Sequence, residues 1–261
     1  ASKAPEFSEP ETVPLRRLFQ ISPLAFVGMG LQGFAASMIF GMGAVFANII
    51  GMTNQQGSIF LASFTIANVV MQYPIGRMSD RFDRRLVILI VASISALAAA
   101  IASIVELSNY WTLLGLTAIF GGFSMTIYSL CIAHANDYLS PSQMVGTASA
   151  LITVNGIGAI FGPPIIAALV DLFGSYMFFA TLSVVHIGLG LFVLARMYMR
   201  EAVPAEAQGP FIAVPDQGTA VAASLNPETA WSELDPELVA TEDPLTDNPY
   251  LDMPSLQKPS K

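Results

Sequence analysis

Six long apolar blocks dominate the pattern of this chain: Pro23–Ile50, Ser58–Tyr73, Leu86–Val105, Trp111–Ala133, Val145–Val170 and Met177–Ala195. None contains an Asp, Glu, Lys or Arg, and short polar connections separate them. A bilayer core about 30 Å thick takes roughly 20 apolar residues per helix, so the pattern predicts six transmembrane helices. The connections differ in charge. Gly51–Gly57, Glu106–Tyr110 and Asp171–Tyr176 hold no basic residue, whereas Gly76–Arg85 holds four arginines. The remaining Lys and Arg lie on the two flanks, which include Arg16, Arg17, Arg196 and Arg200. Basic loops stay cytoplasmic, so both termini are expected inside the cell.

Three regions follow: a leader over 1–18, a six-helix bundle over 19–200, and a tail over 201–261. The tail holds 11 of the 19 acids and nine of the 17 prolines. It shows no apolar period, which predicts disorder, because such a segment buries too little surface to offset chain entropy. The net charge of −8 comes entirely from this tail, whose 11 acids face only Lys258 and Lys261. The membrane part is almost neutral, with its basic residues where anionic headgroups lie. The chain opens with Ala1 and a polar leader, which suggests a fragment or a processed piece. The single Cys131 falls inside the fourth block and reads as a small buried hydrophobe.

Shifting the chain by 91 residues lays span one over four, two over five and three over six. Asp80 then falls on Asp171. Because three spans separate the copies, the second is inverted in the membrane, as in many secondary transporters.

The densest motif is Gly76-Arg-Met-Ser-Asp80-Arg81-Phe-Asp83-Arg84-Arg85. Its glycine lets two helix ends approach closely, its aspartate suits the positive end of a neighbouring helix, and its arginines suit carboxylates and lipid phosphates. In this motif the chain resembles the major facilitator superfamily, whose loop between the second and third helices of each half reads Gly-x-x-x-Asp-Arg-x-Gly-Arg-Arg. Asp83 stands where that family usually has glycine. The resemblance covers about residues 13–200 and is similar to a bacterial branch, the YcaD-like transporters. It implies a conformational-switch motif of Gly76, Asp80, Arg81, Arg84 and Arg85 with Asp137. Within it, Arg81 or Arg85 is expected to pair with Asp137 in an exposed bridge.

Span five carries Gly158-x-x-x-Gly162-Pro163-Pro164, a small-residue face for close packing with a proline hinge after it. No arginine lies in span four, the leader is like a central loop, and the acidic tail suits a C-terminus. The resemblance therefore implies helices seven to twelve of a twelve-helix protein, whose partner is a missing N-terminal half or a second copy. It also puts spans one, two, four and five around a cavity. The uncharged polar residues there, Gln32, Asn68, Tyr128 and Asn155, are the candidate contacts for an unidentified small molecule. An open face carrying all four is expected when this bundle stands alone.

Other classes fare worse. A membrane-embedded enzyme needs convergent nucleophile, acid or metal-ligand groups, and the chain offers only His134 and His186, on different spans, with no acid inside any span. No cofactor, metal or nucleic acid is expected as a partner beside the lipid bilayer. A membrane scaffold or receptor acting through the acidic tail is the alternative function.

Overall fold

The computed structural model describes residues 14–105, 109–139 and 141–199, together with Gln208, Gly209, Phe211 and Ala213. Its helices are α1 (Leu15–Ile21), α2 (Pro23–Ile49), α3 (Asn54–Ser79), α4 (Arg84–Ile104), α5 (Tyr110–Ser124), α6 (Thr126–Asn136), α7 (Pro141–Phe173) and α8 (Met177–Met199). Six segments among the described residues are long and apolar enough to cross a membrane, with α5 and α6 together forming the fourth. The chain is an all-α integral membrane protein.

Local chemistry starts each span where polar residues can satisfy free N–H groups. Ser22 accepts the Ala25 N–H at 3.4 Å ahead of Pro23, whose missing N–H is no loss in a first turn. Thr53 and Gln56 form a reciprocal capping box on α3. Asp83 caps α4 and Asn109 caps α5. Gly51 and Gly174, at φ of 80° and 107°, make the left-handed turns after α2 and α7.

Three boundaries differ from the sequence reading. The leader is already helical from Leu15, and Leu18 and Ile21 of α1 are fully buried. Span two does not stop at Tyr73: α3 runs through Pro74 to Ser79, so Gly76 and Arg77 sit on a helix and the connection is only Asp80–Asp83. Pro74 lies on an exposed face, and the bilayer tolerates such prolines in spanning helices. Span four is interrupted at Met125, between Ser124 and Thr126. Thr126 Oγ donates to the Phe123 carbonyl at 2.6 Å beside this break. The tail expected to be disordered lies mostly outside the described residues.

The helix pairings carry the internal repeat. The most extensive are α2 with α7, α4 with α8, and α3 with α5. In span numbers these are one with five, three with six, and two with four. Exchanging one and four, two and five, three and six returns the same set, so the inverted three-plus-three repeat is built into the packing.

Two large apolar clusters fill the bundle among the described residues, beside a small one of Ile21 and Tyr138. At the arginine-rich end, Met29, Val87, Val91, Tyr128, Cys131, Leu151 and Leu189 join five helices. At the opposite end the core is aromatic. Phe46 stacks on Phe178 at 4.3 Å, and Phe60, Phe64 and Phe179 meet edge to face. The α2–α7 seam is closest of all. A methyl group at Gly33 would strike the Asn155 carbonyl, and one at Gly158 would strike the Gly30 carbonyl. The Gly158–Gly162 face is thus a backbone-to-backbone contact. Only residues without a side chain fit it.

Candidate functional site

Arg84 is the first residue of α4 and is 1% exposed. A guanidinium there faces the positive end of its own helix dipole, an unfavourable place unless anions surround it. They do. Arg84 Nη1 donates to Asp137 Oδ1 at 2.6 Å and to the Ala133 carbonyl at 2.7 Å. Its Nε donates to Ser79 Oγ at 2.9 Å, and its Nη2 donates to the Gly209 carbonyl at 2.8 Å. Asp80 Oδ1 lies 3.8 Å from Nη2. One planar fork therefore ties together the end of α3, the start of α4, the end of α6 and the tail.

The pairing corrects the sequence expectation. Neither Arg81 nor Arg85 provides the ion pair to Asp137; Arg84 does, and both side chains are buried rather than exposed. Arg85 instead turns onto Asp83, with Nη2 at 2.9 Å from Oδ2, while Asp83 also accepts the Arg85 N–H at 2.9 Å. Arg81 is exposed. Helical rotation explains the split: neighbours 84 and 85 point about 100° apart, so only one can face α6. Asp83, at the departure from the family motif, has found a use as cap and counter-ion.

Burial is the strongest influence on Asp137 and raises its carboxyl pKa from 3.8 to about 6, against the opposing pull of Arg84 and the Gly209 N–H. The short Arg84 contact and the upward shift are compatible, because desolvation disfavours the carboxylate more than one cation favours it.

The four mid-span polar residues do not share one open face. Gln32 and Tyr128 are buried inside the bundle, at 2% and 1% exposure. Gln32 Nε2 reaches Met125 Sδ at 3.9 Å, and its Oε1 has no hydrogen-bond partner. Asn68 Oδ1 is also buried without one. Asn155 Nδ2 donates to the Met29 carbonyl at 3.2 Å, fastening α7 to α2. The expected open surface carrying all four is corrected accordingly. Sequence gives the depth of a residue in a span, but its direction around the axis depends on how neighbours pack.

His186 is a satisfied packing residue, as expected. Its Nδ1 lies 2.8 Å from the Leu182 carbonyl, which can only accept, so Nδ1 carries the proton. Nε2 then accepts from the Ser124 hydroxyl at 2.8 Å. The Ser124 bond, just before the interruption of span four, was not foreseen. Neither was the approach of Gly209 and Phe211. The run Phe211-Ile-Ala-Val214 in the acidic tail was the available signal.

The described residues thus form a bundle of six apolar membrane helices, with polar atoms held at mid-span and a charged clamp at one end. The Major Facilitator Superfamily model matches residues 25–241, and the chain belongs to that superfamily. It is 26% identical over 175 residues to a protein of Escherichia coli O17:K52:H18 named as an uncharacterized MFS-type transporter, YcaD. The Escherichia fergusonii protein of the same name is 25% identical over 175 residues. Each match covers 67% of this chain and 43% of the relative, so the chain spans under half the length of these relatives.

Proposed function

We propose that the chain acts as the C-terminal six-helix half of a secondary transporter in a bacterial inner membrane, moving a small solute by alternating access. The supporting observation is the coverage of the helices. The spanning windows of α3 and of the fifth span, Gly146–Phe173, are only 22% and 11% buried, the two lowest values among the six. They are spans two and five, equivalent under the inverted repeat. Their exposed apolar residues, including Val69, Val70, Ile160 and Phe161, would pack against a second bundle. Gln32 Oε1 and Asn68 Oδ1 are the favoured solute contacts, since a buried oxygen without a partner costs about 1–3 kcal/mol and a bound solute relieves it. Asn155 is assigned to helix packing, and Tyr128 lines the same interior. Gly158, Gly162 and Pro163 form the seam and hinge on which the bundle rocks. The Gly76–Asp80–Arg84–Asp137 cluster biases the conformational balance, with Arg81 and Arg85 flanking it.

The arginine-rich end is assigned to the cytoplasm. A reporter fused after Met199 should read cytoplasmic, and one inserted at Asn54 or Asn109 should read external. An external reading after Met199 would overturn this orientation. For function, the chain should be reconstituted in liposomes and its oligomeric state measured beside uptake of a solute panel. The expected result is no uptake by the monomer. Uptake requires the N-terminal half or a second copy of the chain. Saturable uptake by a monomer would refute the half-transporter reading.

A further inference from the structure

The tail returns to the charged cluster at two points. The Gly209 peptide group is held on both sides: its carbonyl accepts from Arg84 Nη2 at 2.8 Å, and its N–H donates to Asp137 Oδ1 at 3.2 Å. Two residues on, the Phe211 N–H donates to Asp80 Oδ1 at 2.7 Å. The Phe211 ring packs onto the apolar cluster at this end and occupies the space above Gly76, where a methyl group would lie 2.5 Å from the ring edge. Thus Gly76, Asp80, Arg84 and Asp137 all touch one short segment of the tail.

We propose that Gly209 and Phe211 anchor the tail as an intramolecular ligand of this cluster, a latch that holds the ends of α3, α4 and α6 together until the tail is released. The argument has three parts. Each of the three hydrogen bonds has a charged side chain at one end, the stronger class of hydrogen bond. The bonds use backbone groups, so apart from the glycine and the aromatic residue spaced two apart they ask for no particular side chain. The aromatic residue fills a site that exists because position 76 lacks a side chain. Finally, only eight residues separate Met199 from Gln208. A tether that short presents the segment at roughly millimolar effective concentration, so weak contacts suffice to keep it docked.

The functional meaning of release rests on the proposed role of the cluster in the transport cycle. The docking itself does not. Hydrogen exchange on the full chain in lipid nanodiscs tests it without any uptake assay. The Gly209 and Phe211 amides should exchange at least roughly tenfold more slowly than the same amides in an unstructured peptide of this sequence. Phe211→Ala should abolish that protection and raise exchange in the Asp80–Arg84 turn, while the centres of α2 and α8 remain protected. Asp80→Asn should weaken protection at Phe211 more than at Gly209. Unprotected Gly209 and Phe211 amides in the unmodified chain would overturn the latch. So would full protection that survives Phe211→Ala. A failed uptake experiment would leave these readings untouched, so the two proposals fail separately.

Discussion

Arg84→Met should destabilise the bundle by about 3–5 kcal/mol, the usual loss when one member of a buried ion pair is removed. The substitution keeps a side chain of similar length but leaves Asp137 buried with the Gly209 N–H as its remaining described donor. The loss should depend on pH, with a sign fixed by the carboxyl. Asp137 titrates near 6 in the folded chain against 3.8 for the ordinary group. A carboxyl with a raised folded pKa contributes stability that is complete below the unfolded value and lost as pH rises through the folded one. Without Arg84 the folded pKa rises further, because the cation that favoured the carboxylate is gone. The variant's deficit should therefore be larger at pH 7.5 than at pH 5. Chemical unfolding in detergent at both values checks this. Equal deficits would show that the Asp137 charge is not what the arginine compensates. Adding Asp137→Leu to Arg84→Met should recover most of the loss, since an apolar pair can replace a buried ion pair at little or no cost.

That arginine also marks where the sequence stopped being informative. The six spans were legible because lipid satisfies no backbone group, which leaves apolar length as a sufficient signal. The charge asymmetry between loops was equally plain. The identity of the Asp137 partner was not, because three arginines within five residues share one motif and differ mainly in direction around a helix start. Only the packed α4–α6 contact selects Arg84. The same limit applied at mid-membrane: Gln32 and Asn155 lie at suitable depths, yet one holds an unpartnered oxygen inside the bundle and the other fastens α7 to α2. Span ends failed for a different reason. Pro74 and the arginines after it look like a loop, but α3 continues until Ser79. The tail contact was hidden because a few apolar residues in an acidic, proline-rich stretch carry no periodicity.

The seam between α2 and α7 should be the least tolerant surface of the protein. Gly158→Leu is expected to cost more than about 3 kcal/mol, beyond the usual range for added core volume. The reason lies in what the new side chain would meet. At Gly158 and Gly33 the obstacles are backbone atoms of the facing helix, which cannot swing aside as a side chain can. At Gly28 the nearest obstacle is Cys131 Sγ, a small movable group, so Gly28→Ala should be milder. Gly156 provides the internal control. It lies on the same helix two residues before Gly158, nothing stands within 4 Å of a methyl placed there, and Gly156→Ala should be neutral or stabilising by up to about 1 kcal/mol through helix propensity. Monodispersity and thermal midpoint in one detergent, compared across Gly156→Ala, Gly158→Ala and Gly158→Leu, measure the difference. If the two alanine variants behave alike and the leucine variant remains monodisperse with an unchanged midpoint, the backbone contact is wrong, and with it the use of this seam as the hinge. If only the Gly158 series falls, the small residues are required by closeness of approach, because both positions lie in the same helix and differ chiefly in what faces them.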